Sequence, residues 1–322
     1  MPKLYVKDVL WKPGITVKEL VDQFDGVGFQ ATHVNEAADL VYRMKVSGAK
    51  IYFTFTSNMV SSGLRGLFAQ VIEYGLADVV ITTVGGIEED IMKATGERFP
   101  LGSFNADDVE LHEKGVNRIG NIYVSNESYE RFEGLIHQMI KDIYEKKERD
   151  EFGLVRLTPS ELIREIGLRL DDPHSILYQA AKNNVPIFCP AITDGALGFH
   201  LFMFQQDHRD FIIDVVRDFA NVIFSTSQDE RKGLIALGGG VSKHHAILAA
   251  LINGGMDYAV YMTTASHHSG SMSGATTNEA KSWGKIKDDS EAVTVIGDCT
   301  VLFPVMISNV LDRLYEDGVL KK

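Results

Sequence analysis

Apolar residues recur along this chain in two alternating rhythms. Short, almost unbroken apolar runs stand at 51–55, 78–82, 186–189, 234–237, 258–262 and 292–296. Between them lie stretches with apolar positions three and four apart, at 34–46, 59–74, 87–94, 127–147, 160–168, 174–183, 211–224 and 300–315. The runs predict strands buried on both faces, and the longer period predicts the helices that cover them. Capping boxes at 16–19 and 158–161 predict two helix starts, the second with Pro159 in the first turn, where its missing N–H costs nothing. Another helix should open near Ser242, with His244 and His245 in its first turn. Strands alternating with helices give an α/β fold: a doubly wound, mainly parallel sheet with helices on both faces. We read it as a single domain over 1–322 with a helical extension at about 1–48. The charge run EKKERDE at 145–151 closes a less regular middle and is a candidate boundary between sub-regions.

The polar and glycine clusters fall where the strands end. Thr56-Ser57-Asn58, Thr83 to Gly86, Thr193 to Gly195, Gly238 to Gly240, Thr263 to Ala265 and Asp298 all follow apolar runs. In an open parallel sheet that edge is where ligands bind. Composition narrows the ligand little. The 322 residues are 45% hydrophobic and 24% charged, ordinary for a soluble globular protein. A net charge of −12 argues against nucleic acid as main partner and is compatible with a cationic one. No apolar run is long enough to span a membrane, and the first residues lack a secretory leader pattern. Two cysteines, Cys189 and Cys299, make no disulfide framework, so a cytoplasmic location is expected.

Two glycine groups, Gly85-Gly86 and Gly238 to Gly240, each join a strand to a helix and let an anion approach backbone N–H groups. A pair of such turns suits a dinucleotide, although the G-x-G-x-x-G fingerprint is absent; glycines also serve packing. Glu88, Glu89, Asp194 and Asp298 stand ready to accept from ribose hydroxyls, or to complement helix dipoles. His244, near a helix N-terminus, should be neutral and able to act as a base. A metal held by His244, His245, His267 and His268 has no spacing in its favour, and none is expected. In the stretch 263–298, Glu279, Lys281, Trp283, Gly284 and Lys285 cluster on a loop between two strands. Lys285 is either an ordinary surface lysine or a desolvated amine fit to be a nucleophile.

Several blocks carry a resemblance. GGGVSKHH at 238–245, SGATTNEAKSWGKI at 273–286, FTSNMVSSG at 55–63, TTVGGIEED at 82–90 and PAITDGALG at 190–198 together resemble the deoxyhypusine synthase family, in the same order, from about 50 to 305. The resemblance implies an NAD-dependent homotetramer with a modified Rossmann-type fold. It would move the aminobutyl group of spermidine through a lysine imine to a lysine of translation factor 5A. Lys285 would then be the imine-forming lysine and His244 the proton shuttle, with Glu279, Trp283 and Tyr261 around the polyamine. Ser57, Asn58, Ser61, Thr83, Gly85 and Glu89 would contact NAD. So would Asp194, Gly239, Thr264, Ser273 and Asp298.

The substrate half departs from the family pattern. Phe199 and Met272 stand where the family has acids, Leu248 where it has Asn, and Ser269 where it has a cofactor-side Asp. Loss of two acids predicts weaker binding of spermidine or preference for a less charged amine. A paralogue moving an alkylamine group between small amines, in the manner of homospermidine synthesis, is the alternative reading; a non-catalytic NAD-binding module is a third.

Overall fold

The computed structural model describes residues 5–320; residues 1–4 and 321–322 of the expected terminal stretches lie outside them. The described chain forms two compact units. The first comprises Met1–Phe55, Tyr74–Ile81 and Val222–Lys322, and the second Thr56–Glu73 and Thr82–Asn221.

In the first unit five parallel strands lie side by side in the order Ile286–Ile296, Met256–Thr263, Lys232–Leu237, Lys50–Phe55, Val79–Ile81. Phe53 sits at the middle of the register, opposite Ile235 on one side and Val80 on the other. Tyr52, Phe53 and Phe55 are sealed from water, and Phe53 also meets the Phe303 ring at 5.8 Å. Each buried ring of this kind contributes roughly 1.5–3 kcal/mol, so Phe53→Ala, which also leaves a cavity, should cost about 3–5 kcal/mol. Helices Gln30–Val46, Val241–Ile252 and Cys299–Glu316 flank the sheet. The architecture is the α/β one that the apolar runs predict.

The second unit is mostly helical, with Val84–Ala94 and Asn126–Lys146 its longer members alongside Ala196–Asp207. The capping box at Thr158 forms as expected. Two expected elements divide. The 59–74 stretch is two helices, Ser57–Ser61 and Arg65–Glu73, parted by Gly63, whose φ of +105° no helix admits. The 211–224 stretch opens as a strand, Phe211–Ile213, because its Phe-Ile-Ile run pairs in parallel with Val155–Leu157; the helix is Val215–Ile223.

Candidate active site

The 263–298 stretch is more ordered than a loop. Thr276 caps a six-residue helix, Thr277–Ser282, its hydroxyl accepting from the Glu279 N–H at 3.3 Å. Trp283 closes the helix, and Gly284 follows with φ +68°, the left-handed turn that glycine makes without strain. Lys285 is then held on both backbone sides. Its N–H donates to the Ala280 carbonyl and its own carbonyl accepts from the Met256 N–H, each at 3.1 Å. The strand Ile286–Ile296 starts immediately after it, six residues before the apolar run that announced it. So placed, the Lys285 side chain is 7% exposed, with Nζ 5.1 Å from the Trp283 ring centroid. The indole itself is largely in solvent.

Helix Val241–Ile252 supplies the opposite wall. Its apolar stripe is interrupted by Lys243, which is 1% exposed; Nζ donates to the Ala275 carbonyl at 3.0 Å and stands 4.4 Å from the Tyr261 centroid. Burial pushes the Lys243 amine down to about 8, with Glu279 pulling it back up. The next residue, His244, is half-buried. Burial first, and the Lys285 ammonium second, hold its imidazole below the ordinary value. The lowering has the direction expected from a helix N-terminus, but the causes are these two. Tyr261 lies within strand Met256–Thr263, sealed from water, with burial raising its phenol and no hydrogen-bond partner for its hydroxyl. Lys243, Tyr261, Met272, Glu279, Trp283 and Lys285 line one narrow pocket with an empty volume of about 260 Å³.

The structure therefore gathers Lys285, Glu279, Trp283, Tyr261 and Met272 as lining of one pocket, and adds Lys243, to which the sequence reading gave no role. The signal was present: a lysine in register with Ala246, Ile247 and Ala250 on a buried stripe. His244 neighbours it on the same helix. Phe199 stands in the second unit on helix Ala196–Asp207, 57% exposed.

Candidate cofactor positions occur in both units. In the first, Gly240 opens helix Val241–Ile252 with no side-chain cap, leaving backbone N–H groups for an anion. Gly239 has a separate reason to be glycine: a Cβ there would meet Ser273 Cα at 2.3 Å. Thr264 is exposed. Asp298 caps helix Cys299–Glu316, its Oδ1 accepting from both the Thr300 N–H and hydroxyl at 2.9 Å. In the second unit, helix Val84–Ala94 also lacks a side-chain cap, and the Thr83 hydroxyl at its start is buried without a partner. It starts three residues before the expected position, so Gly85 and Gly86 lie in its first turn; Gly85 lets Ser57 approach, a Cβ there standing 2.9 Å from Ser57 Cβ. The Ser61 hydroxyl donates to Glu89, whose carboxyl burial raises to about 7. Asn58 and Asp194 are exposed. Each unit thus holds an uncapped, glycine-bearing helix start, which fits a phosphate-bearing cofactor. His267 and His268 lie in solvent with ring centroids 3.9 Å apart; among the described residues no three potential ligand side chains converge on a metal position.

The family model for deoxyhypusine synthase matches residues 19–310. A Schizosaccharomyces pombe protein named "Probable deoxyhypusine synthase" is 39% identical over 309 residues, covering 92% of this chain and 87% of its own. A Thermococcus onnurineus protein of the same name is 41% identical over 309 residues, covering 92% of this chain and 91% of its own. Among solved structures, an Entamoeba histolytica protein described as "a putative deoxyhypusine synthase" superposes with a TM-score of 0.69 at 28% identity, over 95% of this chain and 97% of that one.

Proposed function

This chain belongs to the deoxyhypusine synthase family, and from that premise we propose that it carries an alkylamine group on Lys285 between a polyamine donor and an acceptor amine, with NAD as hydride carrier. Family membership implies aminobutyl transfer from spermidine, so the enzyme is a transferase. The observation that carries the reading is the Lys285 amine, buried beside the Trp283 ring in a pocket with a single carboxylate.

Bound NAD would take a hydride from the donor carbon next to nitrogen and return it at the end. The chain's own residues do the rest. Lys285 Nζ, as free amine, forms a bond to the oxidised donor carbon, and the donor's nitrogen leaves with a proton as a smaller amine. The product is an imine on Lys285. An acceptor amine adds to the same carbon and Lys285 leaves, restoring the free amine. To His244, held neutral, we assign the taking and returning of the proton that moves between the exchanging nitrogens, a role supported by its lowered imidazole. Glu279 and the Trp283 face attract the donor's cationic nitrogen at the pocket mouth. We assign the cofactor's phosphate to the Gly240 helix start in the first unit, supported by its uncapped N–H groups. For the second unit's Ser61–Glu89 pair the family resemblance supports a ribose contact.

The acceptor in this reading is a lysine of translation factor 5A, with a small amine the alternative. A homotetramer and a cytoplasmic location belong to the same reading. No helix among the described residues is long and apolar enough to cross a membrane. A non-catalytic NAD module gives no account of why lysine, histidine and glutamate are retained together.

Incubation with NAD and a panel of amines, followed by borohydride and peptide mapping, tests the reading. We expect NADH to form and the label to sit on Lys285. Label on Lys281 would overturn the assignment; its Nζ already donates to the Asp288 and Ser290 carbonyls.

A further inference from the structure

Glu88 is a buried carboxylate in the second unit, 7% exposed, on helix Val84–Ala94. Its partners lie on a different helix. Helix Ala196–Asp207 follows Gly195, which offers no side-chain cap, so its first N–H groups need an acceptor from elsewhere. Glu88 supplies one. Its Oε2 accepts from the Leu197 N–H at 3.0 Å, and the Ala196 N–H acts on the same carboxylate. Burial raises the carboxyl and these two N–H groups pull it back down; among the described residues no lysine or arginine acts on it. The positive end of a twelve-residue helix answers the charge instead.

The two helix starts are pressed together. A Cβ on Gly195 would stand 2.8 Å from Val84 Cγ1 and 3.0 and 3.2 Å from the two Glu88 carboxylate oxygens, so glycine is what lets them close. Two candidate ribose acceptors flank this contact. Asp194 immediately precedes Gly195 and is exposed, on a turn closed by its own N–H donating to the Ala191 carbonyl at 3.1 Å. Glu89 immediately follows Glu88 and takes the Ser61 hydroxyl. Successive side chains on a helix point about 100° apart, so Glu88 does not face where Glu89 faces.

We propose that Glu88 is a positioning residue for the cofactor and not a contact to it: by capping helix Ala196–Asp207 from helix Val84–Ala94, its carboxylate fixes the turn that presents Asp194. The proposal rests on NAD as the cofactor under the proposed function, and concerns how the second unit holds Asp194 ready for it. The ribose contacts are left to Glu89 and Asp194, and Glu88 acts through the latter.

The experiment uses the full-length protein and NAD itself. Calorimetry should show Glu88→Leu, which leaves both N–H groups without this acceptor, binding NAD about tenfold more weakly, the size of a lost helix cap. Glu88→Gln keeps an oxygen for the Leu197 N–H and should lose about threefold or less. In an Asp194→Ala background Glu88→Leu should cost under about twofold, because the residue through which it acts is already gone. If Glu88→Leu does not fold, Gly195→Ala, which forces the same two helix starts apart, takes its place in that cycle. Losses that simply add in the double variant, or NAD affinity unchanged in the single one, would overturn the proposal. Hydrogen exchange without NAD gives a readout free of the cofactor. Exchange of the Ala196 and Leu197 amides should quicken about tenfold or more in Glu88→Leu. Wild type that binds NAD, with no such quickening in the variant, overturns the cap and leaves the cofactor reading. Wild type that binds no NAD, with the quickening present, removes the cofactor reading and the positioning role with it, and leaves the cap.

Discussion

Asp90 and Lys243 are both ionisable and both almost closed to water, at 0% and 1% exposure, yet their surroundings differ in kind. Asp90, in the second unit, is saturated. Arg65 Nε and the Ser175 hydroxyl donate to it, as do the Ile176 and Leu177 N–H groups, and Asp172 holds the other arm of Arg65 at 2.6 Å. Lys243, in the first unit, has one carbonyl and the Tyr261 ring face, and the hydroxyl of that tyrosine has no hydrogen-bond partner. Burying a charge is costly unless its partners are complete. A complete set locks a scaffold in one arrangement. An incomplete set beside a pocket marks where a ligand's groups belong.

The largest effect should come from the pocket side. Lys285→Arg keeps a cation at the Trp283 face but removes an amine that can be deprotonated and form an imine. Group transfer should fall by about 10³-fold or more, the order expected when a covalent residue is lost. Melting temperature and NAD affinity should change little. Substantial transfer by this variant would move the covalent role away from Lys285.

Asp90→Ala attacks the scaffold side. It leaves Arg65, 9% exposed, with Asp172 as its remaining partner, and it orphans two backbone N–H groups at the start of helix Ile176–Lys182. Breaking a buried pair from one side costs roughly 3–5 kcal/mol. Urea denaturation should show a loss of that size. A loss under about 1 kcal/mol would mean that the saturated network is not holding the unit together.

Glu89 lies between the two cases, and pH separates them. Its carboxyl is 5% exposed, and burial raises it from an ordinary 4.5 to about 7, against the opposing pull of the Ser61 hydroxyl and Lys93. Between those two values the folded chain carries a proton that the unfolded chain has released. Stability from this group is therefore full below about 4.5 and is lost as pH rises through 7. Glu89→Gln should be near neutral at pH 4.5 and stabilising at pH 8.5, by on the order of 3 kcal/mol. Equal effects at both pH values would show that the carboxyl ionises as readily folded as unfolded.

How much of this was legible beforehand follows from the range of the interactions. Strands such as Lys50–Phe55 and Lys232–Leu237 are covered on both faces, so their cores, Ile51–Phe53 and Leu234–Leu237, are unbroken apolar runs and announce themselves. The Phe211–Ile213 strand did not, since what makes it a strand is a partner about 56 residues earlier in the chain. Helix Thr277–Ser282 is short and polar and reads as loop, although its Thr-x-x-Glu start at 276–279 is the same sign that marks two other helices. Lys285 and Trp283 were identified from a motif; that the amine is buried while the indole is exposed could not be, because sequence carries no depth. Asp298 has a structural duty at a helix start, which the ribose reading does not require. Lys243 was visible as a cation in an apolar stripe, yet that pattern alone does not separate a buried lysine from one whose amine reaches the surface along its apolar stem.

Tyr261→Phe gives the smallest effect and the finest discrimination between the two kinds of burial. The hydroxyl is sealed from water and makes no hydrogen bond, so folding has stripped it of solvent without return. Such an unsatisfied group costs about 1–3 kcal/mol, and phenylalanine keeps the ring against which Lys243 stands at 4.4 Å. The variant should therefore be equal in stability to the wild type or more stable, by up to roughly 1 kcal/mol once relaxation is allowed for. Affinity for the pocket's amine should move the other way, falling about fivefold, close to the 1 kcal/mol of one hydrogen bond. Opposite signs in thermal unfolding and in calorimetry identify a hydroxyl kept for a ligand. Were both to fall together, the hydroxyl would belong with Asp90 as part of the scaffold, and the distinction between the two regions would fail at the residue chosen to test it.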